Sequence, residues 1–260
     1  MKRRVAVFGS DAAIGTLGGL IGLGGAEFRL PLLIGVFRFA ALEAVVLNKA
    51  ISLVVVASAL IFRTRNVSCG TIALHWDVIV NLLAGSLLGA WAGADLATRI
   101  KSESLYKIIS VLLGLIAVVL LFMHNGSGNG QSLLTGAALI GSGVVAGLGI
   151  GVFASFLGVA GGELLIPTIV LLYGADIKLA GSLSLAVSLP TMITGFARYS
   201  RDSSFSVLAK NKEFVLLMAS GSFAGAFLGG MLLGIIPSKL LIPILTVVLA
   251  ISAVKVWRHS

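Results

Sequence analysis

The sequence predicts an all-α polytopic membrane protein. It reads as two repeats of one broken, hairpin-like segment plus three transmembrane helices, with the second repeat inverted. Three observations carry this. The chain of 260 residues is 58% hydrophobic and only 11% charged, with a mean hydropathy of +1.09, too oily to cover a soluble domain. Apolar runs of about twenty residues recur, each long enough to cross a hydrocarbon core of about 30 Å. The chain is also written twice. Shifted by 136, Gly22 meets Gly158, Gly25 meets Gly161, Glu27 meets Glu163 and Pro31 meets Pro167.

The register holds onward: Ala50, Ser52 and Leu53 meet Ala186, Ser188 and Leu189, and Arg65 meets Arg201. Residues 1–124 are read as the first repeat and 132–260 as the second. The Gly/Ser/Asn loop at 125–131 joins them, with turn chemistry throughout. Each repeat opens with an apolar segment that glycines interrupt, 5–37 and 132–173. The second copy is too long for one crossing at 1.5 Å per residue, and glycines permit a break. Either it enters and leaves on one side, or it crosses with an irregular middle. Plainer spans follow near 41–62, 77–98 and 105–123, then near 177–197, 214–236 and 239–257.

Charge favours the hairpin. It gathers Lys2, Arg3, Arg4, Arg38, Arg99, Lys101, Lys107, Arg198, Arg201, Lys210, Lys212, Lys255 and Arg258 on one side. Arg63, Arg65, Lys178 and Lys239 remain on the other, and eight full crossings give a weaker bias. Inverted repeats with discontinuous helices are a plan of secondary transporters. The net charge of +9 therefore orients the chain in a bilayer. No basic stretch is interleaved with aromatics, so nucleic acid is not expected as a partner. The single cysteine, Cys69, excludes an internal disulfide. The apolar run after the basic start is too short for a cleaved signal peptide, so both termini are expected in the cytoplasm, with the protein multi-pass in the cell inner membrane.

The breaks carry the candidate chemistry. Irregular backbone inside a membrane is tolerated only where protein buries it or it lines a watery cavity. Pro31 and Pro167 fit the first turn of the short helix after each break, where a missing N–H costs nothing. Two such helix starts, facing each other, would offer N–H donors and positive dipole ends to a small anion. Gly24, Gly25, Gly161 and Gly162 are candidate binding positions on that ground.

Glu27 and Glu163 admit two readings. An acid in an apolar site can carry a proton and couple it to the anion. Alternatively each caps the backbone donors at its own break. Asn48 and Lys49 lie within the second span, AVVLNKAISLVVV. A lysine there is a fixed positive group for the substrate, or it pairs with Glu27 or, less well, Glu43, or it snorkels. Arg29 has no basic counterpart, since Leu165 stands at the matching position, and it reads as a structural ion pair or an interface contact. Ser184, Ser188 and Thr191 offer hydroxyls to the second cavity, or bond back to their own helix. The glycine faces of GSLLGAWAG (85–93) and GSFAGAFLG (221–229) allow close helix packing, within the chain or in a homodimer.

His75, His124 and His259 lie near segment ends, and no metal cluster or cofactor motif is visible. No nucleophile elbow, HExxH or P-loop appears, so an enzyme and an ATP-driven pump are not expected.

Two stretches, IGLGGAEFRLPLL (21–33) and LGVAGGELLIPTI (157–169), resemble the TauE/SafE family of sulfite exporters and related membrane permeases. AGSLSLAVSLPTMITG (180–195) and GSFAGAFLGGMLLGIIPSKLL (221–241) are similar to its later segments. In the first half Asn48 and Lys49 stand where the family's pattern has Thr or Ser types. The resemblance implies gradient-linked movement of small sulfur-containing anions, such as sulfite or organosulfonates. The expected function is thus secondary transport of a small anion across the lipid bilayer, with proton-coupled export as its sharpest form. A passive anion channel and a non-transport scaffold are the alternatives.

Overall fold

The computed structural model describes residues 2–21, 25–63, 69–123, 134–232, 247 and 250–258. The loop at 125–131, Gly24 and much of the expected last span lie outside them. The described chain is helical: α1 (Lys2–Ile21), α2 (Ala26–Gly35), α3 (Ala41–Arg63), α4 (Cys69–Leu74), α5 (Trp76–Arg99), α6 (Ser102–Met123), α7 (Gly136–Leu157), α8 (Gly162–Tyr173) and α9 (Ile177–Tyr199). A 3-10 turn (Ser203–Phe205), α10 (Ser206–Lys210) and α11 (Lys212–Leu232) follow, and residues 250–257 form a last helical stretch.

Four spans among the described residues are long and apolar enough to cross a membrane: Ala41–Leu60, Trp76–Arg99, Gly136–Leu157 and Leu179–Tyr199. Large apolar side chains such as Val80, Leu88, Val145, Leu216 and Phe227 are exposed on the outside of the bundle. Such a surface suits lipid rather than water. The chain is a multi-pass membrane protein.

Both opening segments break at glycines and fold back. Gly25 has φ 73° and lies against the Ile14 carbonyl. Arg29 reaches Asp11, 18 positions earlier, which a continuous helix would place about 27 Å away. In the second half Gly161, with φ 78°, lies against Ile150, and Gly143 lies against the hydroxyl of Tyr173. In each case residue numbers run in opposite directions along the two arms, which is the hairpin geometry.

The directions of the other helices follow. Lys49, early in α3, lies against Gly195, late in α9, while Leu53 and Val56 join Leu185, Leu189 and Met192. So α3 and α9 run antiparallel, although they occupy matching positions in the sequence. Ser86 meets Thr191 and Asp95 meets Arg198, so α5 and α9 run parallel. Eight full crossings would reverse both relations.

Small residues let the packing close. Along α5, Gly85, Gly89 and Gly93 lie on the backbone of Val144, Leu148 and Val152 in α7. Along α11, Gly221 and Gly225 lie on Phe8, Ala12 and Thr16 of α1. These contacts repeat each other at the 136-residue shift. Arg4 pairs with Glu213 at one end of the α1–α11 seam. The described glycine faces are thus used inside the chain.

One local expectation is corrected. Pro31 and Pro167 lie inside α2 and α8 rather than in the first turn. The left-handed glycines start each helix earlier than the prolines alone indicate. Each proline therefore lacks the N–H that would have met the carbonyl of Glu27 or Glu163.

A Cβ at Gly89 would collide with the Leu148 carbonyl, whereas one at Gly114 meets nothing within 4 Å. Gly89→Ala is expected to lower stability by about 1–3 kcal/mol. Gly114→Ala is expected to leave it unchanged or slightly raised. Thermal unfolding of the two purified variants, side by side, checks the difference.

Candidate functional site

The two breaks meet. The amide nitrogen of Asn48 donates to the Ala26 carbonyl at 3.0 Å and to the Leu157 carbonyl at 2.9 Å, tying the first break to the second. Gly158, with φ 65°, lies directly on the Val45 carbonyl of α3, a place no Cβ fits. On the other side, Ser188 Oγ, at the middle of α9, donates to the Ala160 carbonyl at 2.8 Å. Interrupted helices expose carbonyls, and here side chains from α3 and α9 satisfy them.

Glu27 and Glu163 each lie in the first turn of the short helix after a break. Both are buried, and their carboxyl groups are close enough to interact with one another. None of their four oxygens has a hydrogen-bond partner among the described residues. Each carboxyl also lies near its own backbone N–H and near the other acid, so the capping reading stands beside the proton-carrying one. The start of each helix is Gly25 or Gly161, neither with a side-chain cap. The arrangement is a pair of acids at two helix starts, where the macrodipoles favour negative charge.

Lys49 does not pair with Glu27. Its ammonium donates to the Ala154 carbonyl at 3.3 Å, near the C-terminal end of α7, and sits 6.0 Å from the ring centre of Tyr199. No carboxylate lies within ion-pair distance of it among the described residues. Gly195 makes room: an added Cβ there would lie 2.9 Å from Lys49 Cε and 3.0 Å from Nζ. The Tyr199 hydroxyl donates to the Ser155 carbonyl at 2.9 Å, and Ser155 Oγ donates to the Ala90 carbonyl at 2.8 Å. The lysine is thus enclosed by α7 and α9.

Arg29 forms the expected ion pair, with Asp11 at 2.7 Å, both fully buried. Its remaining hydrogens reach Asn48 Oδ1 at 3.2 Å, Ser52 Oγ at 3.1 Å and Ser222 Oγ. One guanidinium therefore joins α1, α2, α3 and α11. The second half has Gly147, Leu165, Ser184, Ser188 and Ser86 at the matching positions, and no such charge network.

Of the candidate positions, Gly25, Glu27, Asn48, Lys49, Gly161, Gly162, Glu163 and Ser188 lie at or beside the joined breaks. Ser184 and Thr191 bond back to Gly181 and Val187 of their own helix, at 2.9 and 2.8 Å. Thr191 also meets Ser86 of α5 at 2.7 Å. Sequence reasoning missed Asp11 and Ser222 as partners of Arg29. A lone acid in an apolar segment was the available signal for Asp11. It missed Gly195 and Tyr199 too, which show no pattern along the chain. At one end of the bundle Asp95 binds Arg198 and Arg99, so Arg198 is an end charge held on α5.

The family model described as sulfite exporter TauE/SafE matches residues 7–256, nearly the whole chain. No curated protein and no solved structure matches.

Removing one partner of the buried Asp11–Arg29 pair leaves the other charge uncompensated. Asp11→Ala or Arg29→Leu alone is expected to cost ~3–5 kcal/mol, and the double variant much less than the sum. A double-mutant cycle on unfolding of the purified protein decides it. Additive losses would show that the two side chains act independently.

Proposed function

Because the chain belongs to the TauE/SafE family of sulfite exporters, we propose that it is a secondary transporter of a small anion, sulfite or an organosulfur anion, that couples export to protons. The observation that carries this is the buried pair of acids, Glu27 and Glu163, at the two helix starts. An anion is drawn to helix N-termini and to Lys49. An acid beside it repels it until protonated, so binding of the anion is linked to protonation of the acids. Gly25, Gly161 and Gly162 supply backbone at the breaks. Asn48 and Ser188 hold the broken ends, while the hydroxyls of Ser184 and Thr191 turn back to their own helix.

The site is closed in this conformation, since Glu27, Asn48, Lys49 and Glu163 have no more than 1% exposure. Alternating access comes from the repeat at 132–260 moving against the repeat at 1–124. The protein sits in the inner membrane with both termini in the cytoplasm, as the distribution of basic residues favours. Nothing specific to this structure favours a channel or a scaffold over this reading.

Flux of sulfite, thiosulfate and a sulfonate into liposomes holding the purified protein tests the function. At least one is expected to move, faster under a proton gradient. Glu27→Gln and Glu163→Gln are each expected to abolish the gradient's effect. No flux of any of these anions would sink the transport reading. Flux indifferent to pH in the wild type would leave a channel. For orientation, a membrane-impermeant maleimide should label Cys69 in intact cells. Labelling only after lysis reverses the topology.

A further inference from the structure

At one end of the bundle, α5 meets the turn after α9, and the charges there do not balance. Asp95 accepts from Arg198 Nε at 2.9 Å and pairs through its other oxygen with Arg99 Nε at 2.8 Å. Arg201 is a third cation at this end. Its guanidinium lies 5.1 Å from the ring centre of Trp91, one turn before Asp95 on α5. Three arginines and one aspartate leave an excess of positive charge. No carboxylate lies within ion-pair distance of Arg201 among the described residues. Asp202, its neighbour in the chain, accepts instead from the Ser204 N–H at 2.8 Å. Shifted by 136, Asp95, Arg99 and Arg198 meet Met231, Ile235 and Phe62, so the doubling of the chain does not account for the cluster.

The turn that carries Arg201 is well held. Arg201 N–H donates to the Arg198 carbonyl, Asp202 N–H to Tyr199 and Phe205 N–H to Asp202, at 3.3, 3.0 and 3.1 Å. Phe205 also packs edge-on against Phe196 of α9, with ring centres 5.1 Å apart. Long basic side chains near the end of a span ordinarily reach away from the hydrocarbon. Arg201 starts beyond the end of α9 and turns back along α5 instead. Trp91 is exposed there, as are Leu88 and Leu96 of α5 and Ile193 of α9, on the surface that suits lipid. A tryptophan face attracts the cation but supplies no oxygen for the five N–H donors of a guanidinium. An acceptor for them has to come from outside the chain, and on this surface the bilayer is the nearest source of phosphate.

We propose that this end of α5 and α9 binds one anionic phospholipid, whose phosphate takes the N–H donors of Arg201 and whose acyl chains lie along Leu88, Trp91 and Ile193. Arg99 and Arg198 add to the positive field around it. A zwitterionic lipid brings an ammonium of its own into that field, whereas phosphatidylglycerol brings a net negative charge. The lipid joins α5 to the turn after α9 from outside, as Asp95 and Arg198 join the two helices within the bundle. The site is separate from the joined breaks and does not depend on the transport reading.

Native mass spectrometry of the purified full chain, released from an uncharged detergent, reads the lipid directly. Phosphatidylglycerol is expected to give a single adduct that outcompetes phosphatidylcholine with the same acyl chains. Arg201→Ala is expected to weaken that adduct about fivefold, and Trp91→Leu to weaken it in the same direction. Lys107→Ala, at an exposed basic residue of α6, is expected to leave it unchanged. Unfolding temperatures in phosphatidylcholine check that each variant keeps its fold, and Arg201→Gln replaces Arg201→Ala if the alanine does not. Phosphatidylglycerol is expected to raise the unfolding temperature of wild type and not of the Arg201 variant. Equal retention of the two lipids, an adduct that survives loss of Arg201, or the same loss in Lys107→Ala overturns the proposal. Glycerol 1-phosphate and inorganic phosphate, added without lipid, are expected to have no effect. Stabilisation by either one equal to that by phosphatidylglycerol makes this a site for a soluble anion, and the proposal falls.

Discussion

Every interrupted helix in this fold leaves polar backbone in apolar surroundings, and the structure depends on satisfying it. The second break exposes the carbonyls of Leu157 and Ala160 deep in the bundle. Asn48 and Ser188 bond them. An unmet carbonyl in hydrocarbon costs several kcal/mol, so the position of α3 and α9 is fixed by this demand. Because Asn48 bonds carbonyls from both breaks, it also brings the two helix starts together. The acids Glu27 and Glu163 then meet as a consequence of backbone repair elsewhere.

Close backbone approach is the second constraint. The glycine faces of α5 and α11 lie on α7 and α1, each from the opposite half of the chain. Each opening hairpin is thus gripped by a span from the other half. This exchange makes one body of a sequence written twice. It leaves the halves alike in packing but unlike in charge. Arg29 locks the first hairpin to α11 through Asp11 and Ser222. In the second hairpin Leu165 takes the same place within an apolar cluster with Ile150, Ile169 and Leu183. Ion pairs of this kind hold a geometry more than they stabilise it, since both charges lose their hydration.

Much of this was legible along the chain. Apolar runs gave the spans near 41–62, 77–98 and 177–197 to within a few residues of α3, α5 and α9. The glycine breaks placed the two hairpins, and the distribution of basic residues favoured folding back over crossing. Other features were hidden for definite reasons. The prolines pointed to a later helix start because a left-handed glycine already begins the turn. Glu27 was a reasonable partner for Lys49 because the nearer acid, Glu43, is spaced poorly for a pair along the same helix. The hairpin instead turns Glu27 toward its counterpart from the other half, and the lysine meets the end of α7.

The sequence by itself determined the membrane setting, the doubling and the residues that chemistry needs, because periodicity, composition and rare buried charges are local properties. Which of those charges face each other was left to the tertiary structure. Partners such as Asp11 with Arg29, or Gly195 with Lys49, are brought together by helices whose order and direction depend on packing across the whole bundle. A pairing of that kind is a sum over many distant contacts, and no single stretch of chain contains it.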